Sequence, residues 1–213
     1  MPRWSRTNPL ALAVLVCLYE KPMHPYEVAQ TLRQRAKQES VRLNYGSLYA
    51  VVESLEKKGF IKATGTVREG KRPERTVYAI TDAGAREMND WMTELIAVPS
   101  KEYPAFMAGM SFLPSLPPEE ALSALQSRAD ALRVKLAGMR GAMKAASDAG
   151  LPRIFELESE YEVQQVASEL KFVSALVDEM SSGSLEGLEM WRAFHTEGFD
   201  PGEVAFTFDF PEE

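Results

Sequence analysis

Apolar residues run almost unbroken from Leu10 to Tyr19, and a first helix is predicted from Pro9 to Tyr19. Asn8 can cap a free backbone N–H there, and proline at the first helical position forfeits no hydrogen bond. Lys21-Pro22-Met23-His24-Pro25 interrupts the pattern, after which Tyr26, Val28, Ala29 and Leu32 recur at helical spacing to Gln34 or beyond. Asn44 is placed to cap a third helix, whose Tyr45, Leu48, Val52 and Leu55 form one stripe opposite Ser47, Tyr49, Ala50 and Glu53. Gly59 ends it, and the β-branched stretch Phe60 to Val67 reads as a strand. A cation-rich turn from Glu69 to Arg75 leads into a second strand, Thr76 to Ile80. Thr81-Asp82 opens a fourth helix, in which Met88, Trp91, Met92, Leu95 and Ile96 share a face.

The rhythm changes after Val98, where five prolines punctuate the stretch to Pro118. From there Leu122, Leu125, Ala129, Leu132, Leu136, Met139 and Met143 alternate spacings of 3 and 4, a heptad seam. Gly150-Leu151-Pro152 breaks it, and Val163, Val166, Leu170, Val173, Val177 and Met180 repeat the pattern. The fold class expected is therefore mainly α: a winged helix-turn-helix followed by a long, coiled-coil-like helical hairpin that makes the chain a homodimer. The two seams can pack on each other within one chain and still leave an edge for a second copy, with Leu125, Leu132, Leu136, Val166, Leu170, Val173 and Val177 as the expected dimer contacts. The expected domains are 1–98, 99–183 and an acidic tail, 184–213. In that tail Leu185, Leu188, Trp191 and Phe194 suit a short helix, and Val204, Phe206, Phe208 and Phe210 alternate like a strand.

Charge changes this picture once it is divided along the chain. The net charge of −7 argues against a nucleic-acid partner, yet residues 1–81 carry +7 and residues 82–213 carry −14. A basic module joined to an acidic one suits contact with double-stranded DNA through the former. Lone Cys17 and two distant histidines exclude a disulfide framework and a Cys/His metal site, so no metal or other cofactor is expected and the natural compartment is the cytoplasm. The early apolar run is too short to span a bilayer and lacks a cleavage signal. No phosphate loop or nucleophile elbow is present, and Glu156, Glu158, Glu160 and Glu162 read as a solvated helix face, so no catalytic residue is assigned.

The chemistry that remains is recognition. Asn44, Tyr45, Ser47 and Tyr49 lie at the start of the third helix, where short polar or aromatic side chains reach base edges and phosphates. Tyr45 shares the core stripe, whereas Tyr49 stands off it and faces DNA. Lys71, Arg72 and Arg75 supply charge for phosphate oxygens at the hairpin tip. The methionine-rich region with Met88, Trp91, Met92, Phe106 and Met110 is a candidate lining for a small effector, although the same periodicity makes Trp91 a core residue.

The segments Asn44-Tyr45-Gly46-Ser47-Leu48-Tyr49, Leu55-Glu56-Lys57-Lys58-Gly59-Phe60-Ile61, Gly70-Lys71-Arg72-Pro73 and Tyr78-Ala79-Ile80-Thr81-Asp82-Ala83-Gly84 resemble the PadR family in order and spacing. The stretch Pro104-Ala105-Phe106-Met107 to Glu120-Ala121 and the heptads after it are similar to the AphA-like subgroup. The resemblance implies a homodimer that binds an inverted repeat, usually as a repressor, released by a small hydrophobic or aromatic effector. It also implies that Ser47 and Tyr49 face the groove, supported by Tyr26, with Lys71 and Arg72 in the wing. Two positions depart from the family pattern, Pro25 for glycine and Ala50 for proline; both suit helices. A winged-helix protein-interaction module without sequence-specific DNA binding is the alternative.

Overall fold

The structure, a computed structural model, describes residue 6 and residues 8–37, 40–41, 43–67 and 75–196. The chain divides into two compact units, Met1–Glu102 and Tyr103–Glu213.

In the first unit, α1 (Pro9–Glu20) is apolar on nearly every face and therefore sits in the middle, with Leu10, Ala11, Val14, Leu15, Cys17 and Leu18 buried. The Asn8 side chain accepts a hydrogen bond from Leu10 N–H at 3.1 Å, as its position before Pro9 led one to expect. Around α1 lie α2 (Pro25–Gln34), α3 (Tyr45–Lys57), strands β1 (Ile61–Val67) and β2 (Arg75–Ile80), and α4 (Asp82–Ala97). The strands pair antiparallel from Ile61 opposite Ile80 to Val67 opposite Arg75, with an irregularity between Ala63 and Gly65. Met23 adds one further rung by exchanging two 3.0 Å backbone hydrogen bonds with Tyr78. The side chain of Tyr45 and the hairpin turn at residues 68–74 lie outside the described residues.

The hairpin is bolted to α4 through Thr81. Its hydroxyl accepts from Gly84 N–H at 3.1 Å and lies 2.7 Å from the Gly59 carbonyl oxygen, to which it donates. Gly84 is required here by close approach, because a Cβ at that position would stand 2.0 Å from the Phe60 carbonyl oxygen. The apolar stripe of α4 is only half used: Met88 and Trp91 are buried, whereas Met92, Leu95 and Ile96 are exposed, Ile96 to 79%. The helix extends past the end of the core, so its last turn presents apolar residues to solvent.

The second unit is built on α6 (Pro118–Asp148) and α7 (Leu157–Ser182), preceded by α5 (Ala105–Ser111) and a 3₁₀ turn at Leu113–Ser115, and followed by α8 (Leu188–Ala193). Gly183 ends α7 in the left-handed conformation at φ +77°. The heptad residues pack α6 on α7 within the one chain. Leu125, Leu136, Val166 and Val173 are buried, and Leu132, Leu170 and Val177 are half-buried against the same core. The seven residues expected at the dimer contact thus pack within the one chain, where one apolar seam per helix suffices for the intramolecular pair. Lys135 to Glu162 at 2.8 Å and Arg128 Nε to Glu169 at 2.6 Å fix the register. Glu156 also departs from the expected solvated face: the 3₁₀ turn Arg153–Phe155 folds it inward, and it is buried. Residues Val204, Phe206, Phe208 and Phe210 lie outside the described residues. Among the described residues, no helix is long and apolar enough to cross a membrane.

Candidate nucleic-acid interface

Three elements meet at one cleft of the first unit: the start of α2, the exposed face of α3, and β2. The cleft has a volume of 510 Å³, and His24, Tyr49, Glu53, Arg75 and Tyr78 are among its lining residues. Each polar group is held there by a local device.

His24 caps α2. Its Nδ1 accepts a hydrogen bond from Tyr26 N–H at 3.0 Å, while its own backbone N–H donates to Glu27 Oε2 at 2.7 Å, a reciprocal capping box. Pro25 occupies the first helical position, as anticipated. With Nδ1 accepting, neutral His24 carries its proton on Nε2 and keeps one donor free of the cap. Burial and then the neighbouring Arg75 charge lower its pKa, against Glu27, which raises it. The Tyr49 ring meets the His24 ring edge-on, with centroids 6.4 Å apart and planes at 67°.

Arg75 opens β2, and its guanidinium stands 5.5 Å from the centroid of the Tyr26 ring. Among the described residues no carboxylate lies within ion-pair distance of it, while Arg35 is clamped by Glu20 at 2.5 and 2.7 Å and Arg6 by Glu87 and Glu94. Among the described residues the Arg75 charge is thus not balanced by a carboxylate. Tyr49 is half exposed and Ser47 is exposed, both on the solvent side of α3. Glu53, one turn on from Tyr49, pairs with Lys57 at 2.8 Å, which lowers its pKa and balances its charge.

The expected recognition residues therefore divide. Tyr49 and Arg75 share the cleft, with Tyr26 beneath the Arg75 guanidinium. Asn44 is the N-cap of α3, and its Oδ1 is engaged by Gly46 N–H at 2.9 Å, so its first role is structural. Lys71 and Arg72 lie outside the described residues. His24 was not singled out by sequence; the signal was its place before Pro25 with Glu27 three residues on. The five residues considered for an effector are divided between the two units. Met88 and Trp91 belong to the core of the first unit and Phe106 and Met110 to that of the second, while Met92 is exposed. Trp91 is buried with its indole N–H unpaired among the described residues.

A cleft of this composition between a third helix and a wing suits a sugar-phosphate strand passing from major to minor groove. Comparison with known proteins agrees with the element order. The family described as "Transcriptional regulator PadR-like family" matches residues 14–90. Residues 14–90 are thus similar to a PadR-like domain. The negative transcriptional regulator PadR of Bacillus subtilis (strain 168) is 23% identical over 146 residues, spanning 68% of this chain and 79% of that protein. The crystal structure of Bacillus subtilis PadR in complex with operator DNA superposes with a TM-score of 0.68 at 19% identity, covering 81% of this chain and 99% of the other. The same protein in complex with p-coumaric acid gives 0.64 at 17%, covering 81% and 95%. These likenesses give the chain a mainly helical, winged-helix fold. The matched segment contains α2, α3 and both strands, so every described element of the cleft lies inside it.

Proposed function

We propose that the chain is a homodimeric transcriptional regulator that binds an inverted-repeat operator, usually to repress, and releases it on binding a small hydrophobic or aromatic effector. The observation carrying this reading is the convergence of Tyr49, His24 and Arg75, which pairs with no carboxylate among the described residues, on one cleft between α3 and the wing. In it α3 enters the major groove with Ser47 and Tyr49 toward the bases, Arg75 and the wing cations Lys71 and Arg72 meet phosphates, and Tyr26 steadies Arg75. The solved relative with operator DNA supports the partner, the relative named a negative regulator supports repression, and the relative holding p-coumaric acid supports an effector.

Two copies reading two half-sites place them roughly one helical turn, about 10 bp, apart. A second copy is supported by large apolar side chains that the α6–α7 seam leaves outside, Val134 at 75% and Phe172 at 55% exposure among them. The test is a gel-shift titration against the DNA upstream of the gene that encodes the chain. A saturable shift is expected, abolished when one half-site is scrambled. Absence of binding at low salt, with a protein partner retained, would favour the interaction-module reading instead.

A further inference from the structure

The second unit contains a groove that the DNA-binding reading does not use. It lies between the 3₁₀ turn after α5 and helix α8, has a volume of 450 Å³, and is lined by Phe112, Pro114, Glu186, Met190, Trp191 and Phe194 among others. We propose that this groove is a binding site for a small organic cation carried on a flat apolar frame, such as a quaternary or protonated aromatic amine.

Its walls are fixed before any ligand arrives. Trp191 Nε1 donates to the Leu116 carbonyl at 2.8 Å, His195 Nε2 lies 3.0 Å from the Pro114 carbonyl oxygen, and Arg192 reaches Glu119 at 3.5 Å. Leu188 and Trp191 anchor α8 in the core of the unit. Two polar ties and two buried anchors on a helix of six residues, with the His195 tie just beyond it, hold it against the turn, so the groove is pre-formed and of the size that small ligands occupy. Meanwhile Phe112 is 72% exposed and Met190 about half exposed, so two large apolar side chains stand at the groove with no cover among the described residues.

Charge selects the class of occupant. Glu186 is the one ionisable residue of the lining, and among the described residues it makes no ion pair, whereas nearby Glu189 is held by Arg192 at 2.5 Å. Aromatic faces carry negative potential at their centres, and a carboxylate beside them adds to it, an arrangement that attracts cations and repels anions. The surroundings act in the same sense: residues 103–213 contain 8 Lys+Arg and 19 Asp+Glu. The chain's own C-terminus is a poor occupant, since residues 197–213 contain six carboxylates and no lysine or arginine.

The site is tested on the full chain without DNA, so its outcome is independent of the operator reading. Berberine, a planar quaternary cation, is titrated calorimetrically, with the anionic dye anilinonaphthalene sulfonate as competitor. Saturable one-to-one binding of berberine per chain is expected, not displaced by the sulfonate. Phe112→Ala is expected to weaken it about three- to thirtyfold, the range of one cation–π contact, and Glu186→Gln by a similar factor. Both positions are exposed, so the fold is retained, which far-UV circular dichroism checks. Lack of saturable binding overturns the proposal. Unchanged affinity in Phe112→Ala places the dye elsewhere and overturns the site; unchanged affinity in Glu186→Gln, or displacement by the sulfonate, overturns the cationic class.

Discussion

In the first unit Leu10, Leu15, Leu48, Leu55, Ile61 and Trp91 converge from three helices and a strand, and each is almost wholly shielded from water. In the second, burial follows one line along two long helices, through Ala121, Leu125, Ala129, Val173 and Met180, while Val134, Ile154, Phe155, Tyr161 and Phe172 remain exposed. A central helix surrounded on all sides makes a core complete within one chain. A two-helix hairpin covers only one stripe of each helix and leaves the rest of its apolar surface uncovered within the described chain. The difference teaches a division of labour. The first unit can hold recognition groups still because its caps and core are self-sufficient; the second is suited to joining copies.

The sharpest way to break this contrast is a substitution at each level of packing. Gly84→Ala drives a methyl group into the Phe60 carbonyl and is expected to cost about 3 kcal/mol, the upper range for overpacking, read by urea denaturation. Leu55→Ala in the same core is expected to cost about 2–5 kcal/mol. A loss below 0.5 kcal/mol at both would mean that the first unit is not the tightly packed body described. Phe172→Glu, by contrast, should leave the helix content unchanged and convert dimer to monomer in sedimentation velocity, with the dimer dissociation constant raised at least about tenfold, roughly 1.4 kcal/mol or more. A dimer untouched by that change would move the interface off this face.

Smaller effects sharpen the account of the cleft. His24→Ala removes the α2 cap and should cost about 1 kcal/mol. The folded state lowers the His24 pKa, so the unfolded chain binds the proton more readily; the cap's contribution is present above the ordinary histidine pKa and lost as pH falls through the lowered value. Urea midpoints of the wild type should therefore fall on acidification below about pH 6.5 more than those of His24→Ala. Cys17 provides the least perturbing probe: burial first, then Glu20, pushes its thiol up to about 11, so it should resist alkylation at pH 8 until the first unit unfolds. Rapid labelling under native conditions would show an open core.

Much of this was legible in the residues themselves, for reasons that are local. Asn8, Asn44 and Thr81 were readable as caps because the side chain bonds a backbone N–H two or three residues away. The strands followed from β-branched runs between Gly59 and Thr81. What escaped depended on distant neighbours. Heptad spacing is the same for a seam closed within one chain and one closed between two, so Leu125 and Val173 could not declare their partner. The α4 stripe gave no sign of where the core stops, which is why Leu95 and Ile96 are exposed. His24 lay hidden because histidine caps only when Nδ1 is turned to the helix.

The cleft between α3 and β2 is tested as a DNA surface most directly by a fluorescence-anisotropy titration of upstream DNA with wild type, Tyr49→Ala and Arg75→Gln over a range of salt. Tyr49→Ala is expected to lower affinity for the inverted repeat by about tenfold while leaving binding to scrambled DNA nearly unchanged, and Arg75→Gln to weaken both and reduce the salt slope by about one. Affinity and salt slope equal to wild type in both variants would contradict the assignment.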